Sequence, residues 1–168
     1  MCIRDSVKTV TSPGRSHTIN IDLDSGFLYC VGTNEGTGTT MCFDLSNPRN
    51  PVRVGANSLT GGDYVHECQV VTYKQGPYVG KQIMFAGGTQ RGFEIWDVTN
   101  KSAPTRIRRV NYPFVGYCHQ GWLSDDRKYF YVNDEFDEFQ NLSLIHIYRA
   151  DRPLVVSADV DNRELVDW

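Results

Sequence analysis

None of the chain's 5 cysteines, at positions 2, 30, 42, 68 and 118, is spaced CxxC from another. That spacing would be needed for a zinc ribbon or a thioredoxin-like redox motif, so neither is expected. No apolar run nears the roughly 20 residues that span a bilayer, and no transmembrane segment is expected. The first residues also lack the basic-then-apolar layout of a signal peptide. Positive charge is not in surplus: 17 Lys and Arg stand against 20 Asp and Glu, a formal net charge of -3. Without a basic run interleaved with aromatics there is nothing to track a phosphate backbone, so nucleic acid is not an expected partner. Gly-x-Ser-x-Gly, phosphate-loop and dinucleotide fingerprints are missing as well, which leaves acyl-enzyme catalysis without its apparatus. Cys118 beside His119 does not replace it, because neighbours on a strand point apart.

What is present is a repeat. The 168 residues, 40% of them hydrophobic, suffice for one domain with a sizeable core. "DLSNPRNP" (Asp44 to Pro51) aligns without gaps to "DVTNKSAP" (Asp97 to Pro104) at an offset of 53 residues. His66 and His119 keep the same offset of 53, and His17 lies 49 residues before His66. Within the middle unit apolar and polar residues alternate in "ECQVVTY", "KQIMFAGG", "FEIWDVT" and "TRIRRVNY", the signature of strands. "KQGPYVG", "TQRG" and "NKSAP" separate them and supply the Gly, Pro and Asn of turns. The first unit repeats this with "TINIDL", "FLYCVG", "TMCFDL" and "VRVGAN". Four strands at such a period predict an all-β chain: a partial β-propeller of four-stranded antiparallel blades, two complete and one truncated. In the third unit "QGWLS" and "KYFYVND" continue the pattern, but the Asp and Pro due at 150 and 157 are Ala150 and Ser157. Cys30 and Cys42 fall on neighbouring predicted strands, so a disulfide and two buried thiols are both open.

The chain's ends have a different origin in this reading. The DNA CTGTCTCTTATACACATCT encodes "LSLIHI" (Leu142 to Ile147), and its reverse complement, AGATGTGTATAAGAGACAG, encodes "MCIRD" followed by Ser or Arg, as in Met1 to Ser6. One element read on opposite strands gives both, and it resembles the transposase end used in preparing sequencing libraries. Residues 1–6 and 142–147 are therefore assigned to adapter translation and 148–168 to a tail of uncertain origin. The partial propeller is assigned to 7–141 of a metagenomic fragment, and Cys2 and His146 are given no functional weight.

"SHTINIDLDSGFLYCVG", "DLSNPRNPVRVG", "YVHECQVVTYKQGPYVGKQIMFAGG", "DVTNKSAP" and "HQGWLSDDRKYFYVNDEFDE" together resemble the choice-of-anchor B family, whose members carry LVIVD-type propeller repeats. The resemblance covers about Ser16 to Glu138. It implies a bacterial β-propeller that is secreted or displayed at the cell surface, and no defined molecular activity.

His17, His66 and His119 each stand just before the first strand of a unit. In a propeller that strand lies innermost, so the three imidazoles are expected around one mouth of a central channel. Neutral ring nitrogens there suit Zn, Cu or Fe; hydrogen bonding to the adjacent linker backbone would select the same repeated position. Glu67 and Gln120, each following a histidine, are candidates for orienting those rings, although strand alternation turns consecutive side chains to opposite faces. Asp134, Glu135, Asp137 and Glu138 offer oxygen ligands for Ca²⁺, without the spacing of an EF-hand loop, and equally make a solvated connection. Trp96 and Trp122 lie on strand runs and are expected in the core between blades. The functional expectation is an extracellular binding scaffold for a surface ligand, protein or glycan. The alternative is an enzyme whose histidines hold a divalent metal (Zn, Cu, Fe or Ca) as cofactor.

Overall fold

The computed structural model describes residues 7–36, 38–54, 63–112 and 115–136, together with the backbone of 145–149, 155–158 and 165–167. Every named element among the described residues is a strand, and Glu135 and Phe136 form the start of a helical turn. Sheet one takes β1 (Thr18–Asp22), β2 (Phe27–Val31), β3 (Met41–Asp44) and β4 (Val52–Val54) in chain order. Sheet two repeats the order with β5 (Glu67–Thr72), β6 (Gln82–Gly87), β7 (Phe93–Asp97) and β8 (Thr105–Val110). Every neighbouring pair is antiparallel. Each of these strands coincides with an alternating run, and the breakers between the runs form the turns.

The third sheet departs from expectation. β9 (Cys118–Leu123) and β10 (Tyr129–Asp134) are followed by β11 (Ile145–Arg149), β12 (Val155–Ala158) and β13 (Leu165–Asp167), giving five strands where truncation was expected. β11 pairs with β10 from Tyr129↔Arg149 to Asn133↔Ile145. The physical reason is that "LSLIHIY" alternates and adjoins a strand whose edge groups need partners. An alternating stretch beside an open edge pairs with it whatever DNA encodes it.

Two layers of core lie between the sheets. Tyr29, Val31 and Cys42 of sheet one meet Cys68, Val70, Met84 and Trp96 of sheet two. Phe85, Phe93 and Val110 of sheet two meet Cys118, Leu123 and Phe130 of the third. Phe130 stacks on both Phe85 and Phe93 with ring centroids 4.8 Å apart. The first strands β1, β5 and β9 lie side by side. They are coupled by a repeated device: Asn20 Oδ1 accepts the Val70 N–H at 2.9 Å, and Gln69 Oε1 accepts the Leu123 N–H at 2.7 Å. A buried N–H left unpaired costs ~1–3 kcal/mol, so each amide fixes one sheet's register on the next.

Alternation also settles the cysteines. Cys30 is opposite Met41 while Cys42 is opposite Tyr29, so the two thiols face opposite sides of sheet one. Cys30, Cys42, Cys68 and Cys118 are free and buried, which removes the disulfide alternative. Trp96 is in the core as expected, but Trp122 is 63% exposed. Trp122 stands at the position of Asn20 and Gln69 and faces the side of the third sheet that no other described sheet covers. Ile19 and Ile21 are exposed in the same way on the opposite side of sheet one.

Candidate functional site

The starts of β1, β5 and β9 bring the three repeated histidines into contact; His17 and His66 precede their strands as expected, whereas His119 is the second residue of β9, which pairing with Thr89 begins one residue earlier. His17 and His66 have ring centroids 4.0 Å apart, and His66 and His119 4.5 Å. The histidines therefore converge as repeat equivalence predicts. His66 is the buried middle ring, His119 is half-buried and His17 is exposed.

Backbone geometry makes this contact possible. The His66 N–H donates to Gly87 O at 2.9 Å and the His17 N–H to Val31 O at 2.9 Å, which locks both residues to the end of the neighbouring strand. Thr89, at φ 57°, exchanges hydrogen bonds with Cys118, 3.2 and 3.0 Å long, and so sets where β9 begins. Gly87 lies beneath that junction. A Cβ on Gly87 would sit 2.2 Å from His119 O, so only glycine admits the β9 backbone this closely.

Two tyrosines that sequence reasoning missed complete the surroundings. Tyr117 meets His66 edge-on at 5.2 Å, and the Tyr64 ring lies 6.4 Å from it. They stand at the same offset of 53 residues as the histidines, a signal that was available in the sequence. Arg91 Nη2 donates to Tyr64 O at 2.6 Å and holds that segment in place. The guanidinium of Arg91 in turn lies beside fully buried Glu94, which also accepts from Arg109 Nε at 2.6 Å and Trp96 Nε1 at 2.9 Å.

The acidic cluster divides into separate roles. A β-bulge between Val132 and Asp134 turns Asp134 inward. Its Oδ2 accepts from Tyr112 Oη at 2.8 Å and Gly116 N at 2.9 Å, and its Oδ1 from Tyr117 N at 2.7 Å and Phe136 N at 3.1 Å. Asp134 thus organises the approach to Tyr117 and His119. Glu135 turns the other way, with Oε2 3.9 Å from His119 Nε2. Asp137 and Glu138 lie outside the described residues. Glu67 and Gln120 border a recess with Gly121, Trp122 and Tyr131, as alternation requires of residues that follow the histidines.

Electrostatics follow from the packing. Burial, reinforced by the adjacent His17 and His119 imidazoles, holds the His66 proton affinity down to about 4, against a hydrogen bond to the His119 backbone. His66 is therefore neutral at neutral pH, and its Nδ1 is buried without a hydrogen-bond partner. His119 Nδ1 is in the same condition. The Tyr117 hydroxyl is pushed up by burial, then by Tyr64 and Glu135. Burial raises the Cys118 thiol to about 12, which leaves it unsuited to nucleophilic attack beside His119.

One atom from each of His66, His119 and Glu135 lies within 4.8 Å of the other two. Such a set can bind a cation or a hydrogen-bonding ligand; His17 borders it without belonging to it. No helix among the described residues is long and apolar enough to cross a membrane. No family model matches the chain, and no curated protein matches it either.

Proposed function

We propose that this chain is part of a β-propeller of the LVIVD-repeat, choice-of-anchor B kind that its sequence resembles, acting as a binding scaffold outside the bacterial cell or at its surface. The observation that carries this reading is the repeated coupling of first strands, in which Asn20 reaches Val70 and Gln69 reaches Leu123. Sheets coupled through equivalent first strands turn around a common axis, and residues at the starts of those strands collect at one end of it. There exposed His17 and half-buried Tyr64, Tyr117 and His119 surround buried His66, a mixture of aromatic area and hydrogen-bonding groups suited to a surface glycan or a protein loop. Rigid sheets and variable turns supply the rest of a recognition surface.

The test is a glycan array and a panel of bacterial surface proteins probed with the purified chain and with Tyr117→Ala. Loss of binding by about tenfold or more in the variant, as for an interface anchor, supports the scaffold. Binding that ignores Tyr117 and Tyr64 substitutions would move the recognition surface elsewhere. The alternative, a metal-dependent enzyme using the same histidines, draws on the closeness of Glu135 to His119. Hydrolysis of a model ester or phosphoester by the metal-supplemented chain, lost on Glu135→Gln, would favour the enzyme over the scaffold.

A further inference from the structure

Two neighbouring imidazoles, His66 and His119, each bury a ring nitrogen that has no hydrogen-bond partner. Buried polar atoms are almost always paired, and an unpaired one marks strain, catalysis or a missing ligand. At His66 the orphaned Nδ1 belongs to a ring that is 5% exposed and packed against the His17 and His119 imidazoles, and a neutral imidazole nitrogen is a metal ligand.

At His119 it is Nε2, rather than the orphaned Nδ1, that lies 3.9 Å from Glu135 Oε2, and one ligand atom from each of His66, His119 and Glu135 lies within 4.8 Å of the other two. Tetrahedral bonds of ~2.0–2.1 Å would place ligand atoms about 3.4 Å apart, so the cluster is slightly expanded. Glu135, 38% exposed, has room to rotate inward.

We propose that His66, His119 and Glu135 bind one transition-metal dication of the zinc, copper or nickel class as its three protein ligands. Two imidazoles and one carboxylate form a donor set that favours these ions and disfavours Ca²⁺ and Mg²⁺, which take oxygen ligands. The ion would tie the starts of β5 and β9 to the end of β10. This inference requires neither a closed ring nor a glycan or protein ligand, so it stands or falls separately from the scaffold.

The experiment is isothermal titration of the metal-stripped chain with Zn²⁺ and Cu²⁺, with Co²⁺ absorption to report coordination and far-UV circular dichroism to confirm folding. One ion per chain is expected, with His66→Gln and His119→Gln each weakening it about 100-fold and Glu135→Gln about tenfold. Millimolar Ca²⁺ should not compete, and His146→Ala should leave affinity unchanged. Absence of saturable Zn²⁺ or Cu²⁺ binding by the folded wild-type chain overturns the proposal. Binding that survives in a folded His66→Gln, His119→Gln double variant overturns it too. Because the first of these readings uses the wild-type chain alone, a variant that fails to fold does not rescue the idea.

Discussion

A buried imidazole whose proton affinity is held down to about 4 makes folding sensitive to mild acid. In the unfolded chain a histidine accepts its proton near pH 6.5, so below about that value the unfolded state binds a proton that folded His66 refuses. Stability from this residue is therefore complete above about pH 6.5 and is lost as the pH falls toward 4. The melting temperature of the metal-free chain should drop across that interval, and His66→Gln should flatten the profile. An equally steep profile in the variant would assign the acid sensitivity to other groups. Gly87 gives a second test at this scale, one of space alone because its φ is not positive. In Gly87→Ala the new methyl would meet two carbonyl oxygens, His119 O at 2.2 Å and Cys118 O at 3.0 Å, and backbone cannot rotate aside as a side chain does. Urea melts should show a loss of about 1–3 kcal/mol, as for overpacking elsewhere. A neutral result would mean that the β9 backbone yields freely.

Strands and turns are the level at which the sequence was most legible. "KQIMFAGG" is apolar and buried along almost its whole length in the middle of sheet two, "TINIDL" alternates at the start of sheet one with its isoleucines on the uncovered face, and "DSG" and "KQGPYVG" stop them with residues made for turns. The histidines were legible for a related reason, since a fixed offset along a repeat becomes proximity in space. Glu135 was not. "NDEFDE" reads as one acidic run, and only the bulge after Val132 separates Asp134, which binds backbone, from Glu135, which faces His119. Trp122 was misread because an apolar residue on a strand is buried only if a neighbouring sheet covers that face. The amide couplings were also invisible, because a polar residue on a strand normally signals solvent. Gln69→Ala should cost about 1–3 kcal/mol by leaving the buried Leu123 N–H unpaired. Asn20→Ala should cost less, since Asn20 is half-buried and water can reach its partner. Thermal or denaturant melts that rank Asn20 above Gln69 would contradict this account of how the sheets are coupled.

Across the whole molecule, apolar side chains sit exposed on both outer sheet faces. Ile19 is 59% exposed on one and Trp122 63% on the other. Such faces are adhesive in water. The purified chain should bind a hydrophobic dye and self-associate as concentration rises, and an Ile19→Lys, Trp122→Lys double variant should do both less, as judged by fluorescence and light scattering. A dye-silent wild-type monomer at high concentration would refute the expectation. The coupling amides add something else, a sense of direction. Each amide belongs to the earlier sheet and each N–H it caps to the later one, so the connection runs one way along the chain, like a row of hooks all facing forward. Tandem duplication of either of the first two units would carry its hook with it, and the lengthened array would couple without any new chemistry. Duplication of the third would not, because Trp122 replaces the hook with an indole, and the sheet placed after it would have to supply its own partner for the orphaned N–H.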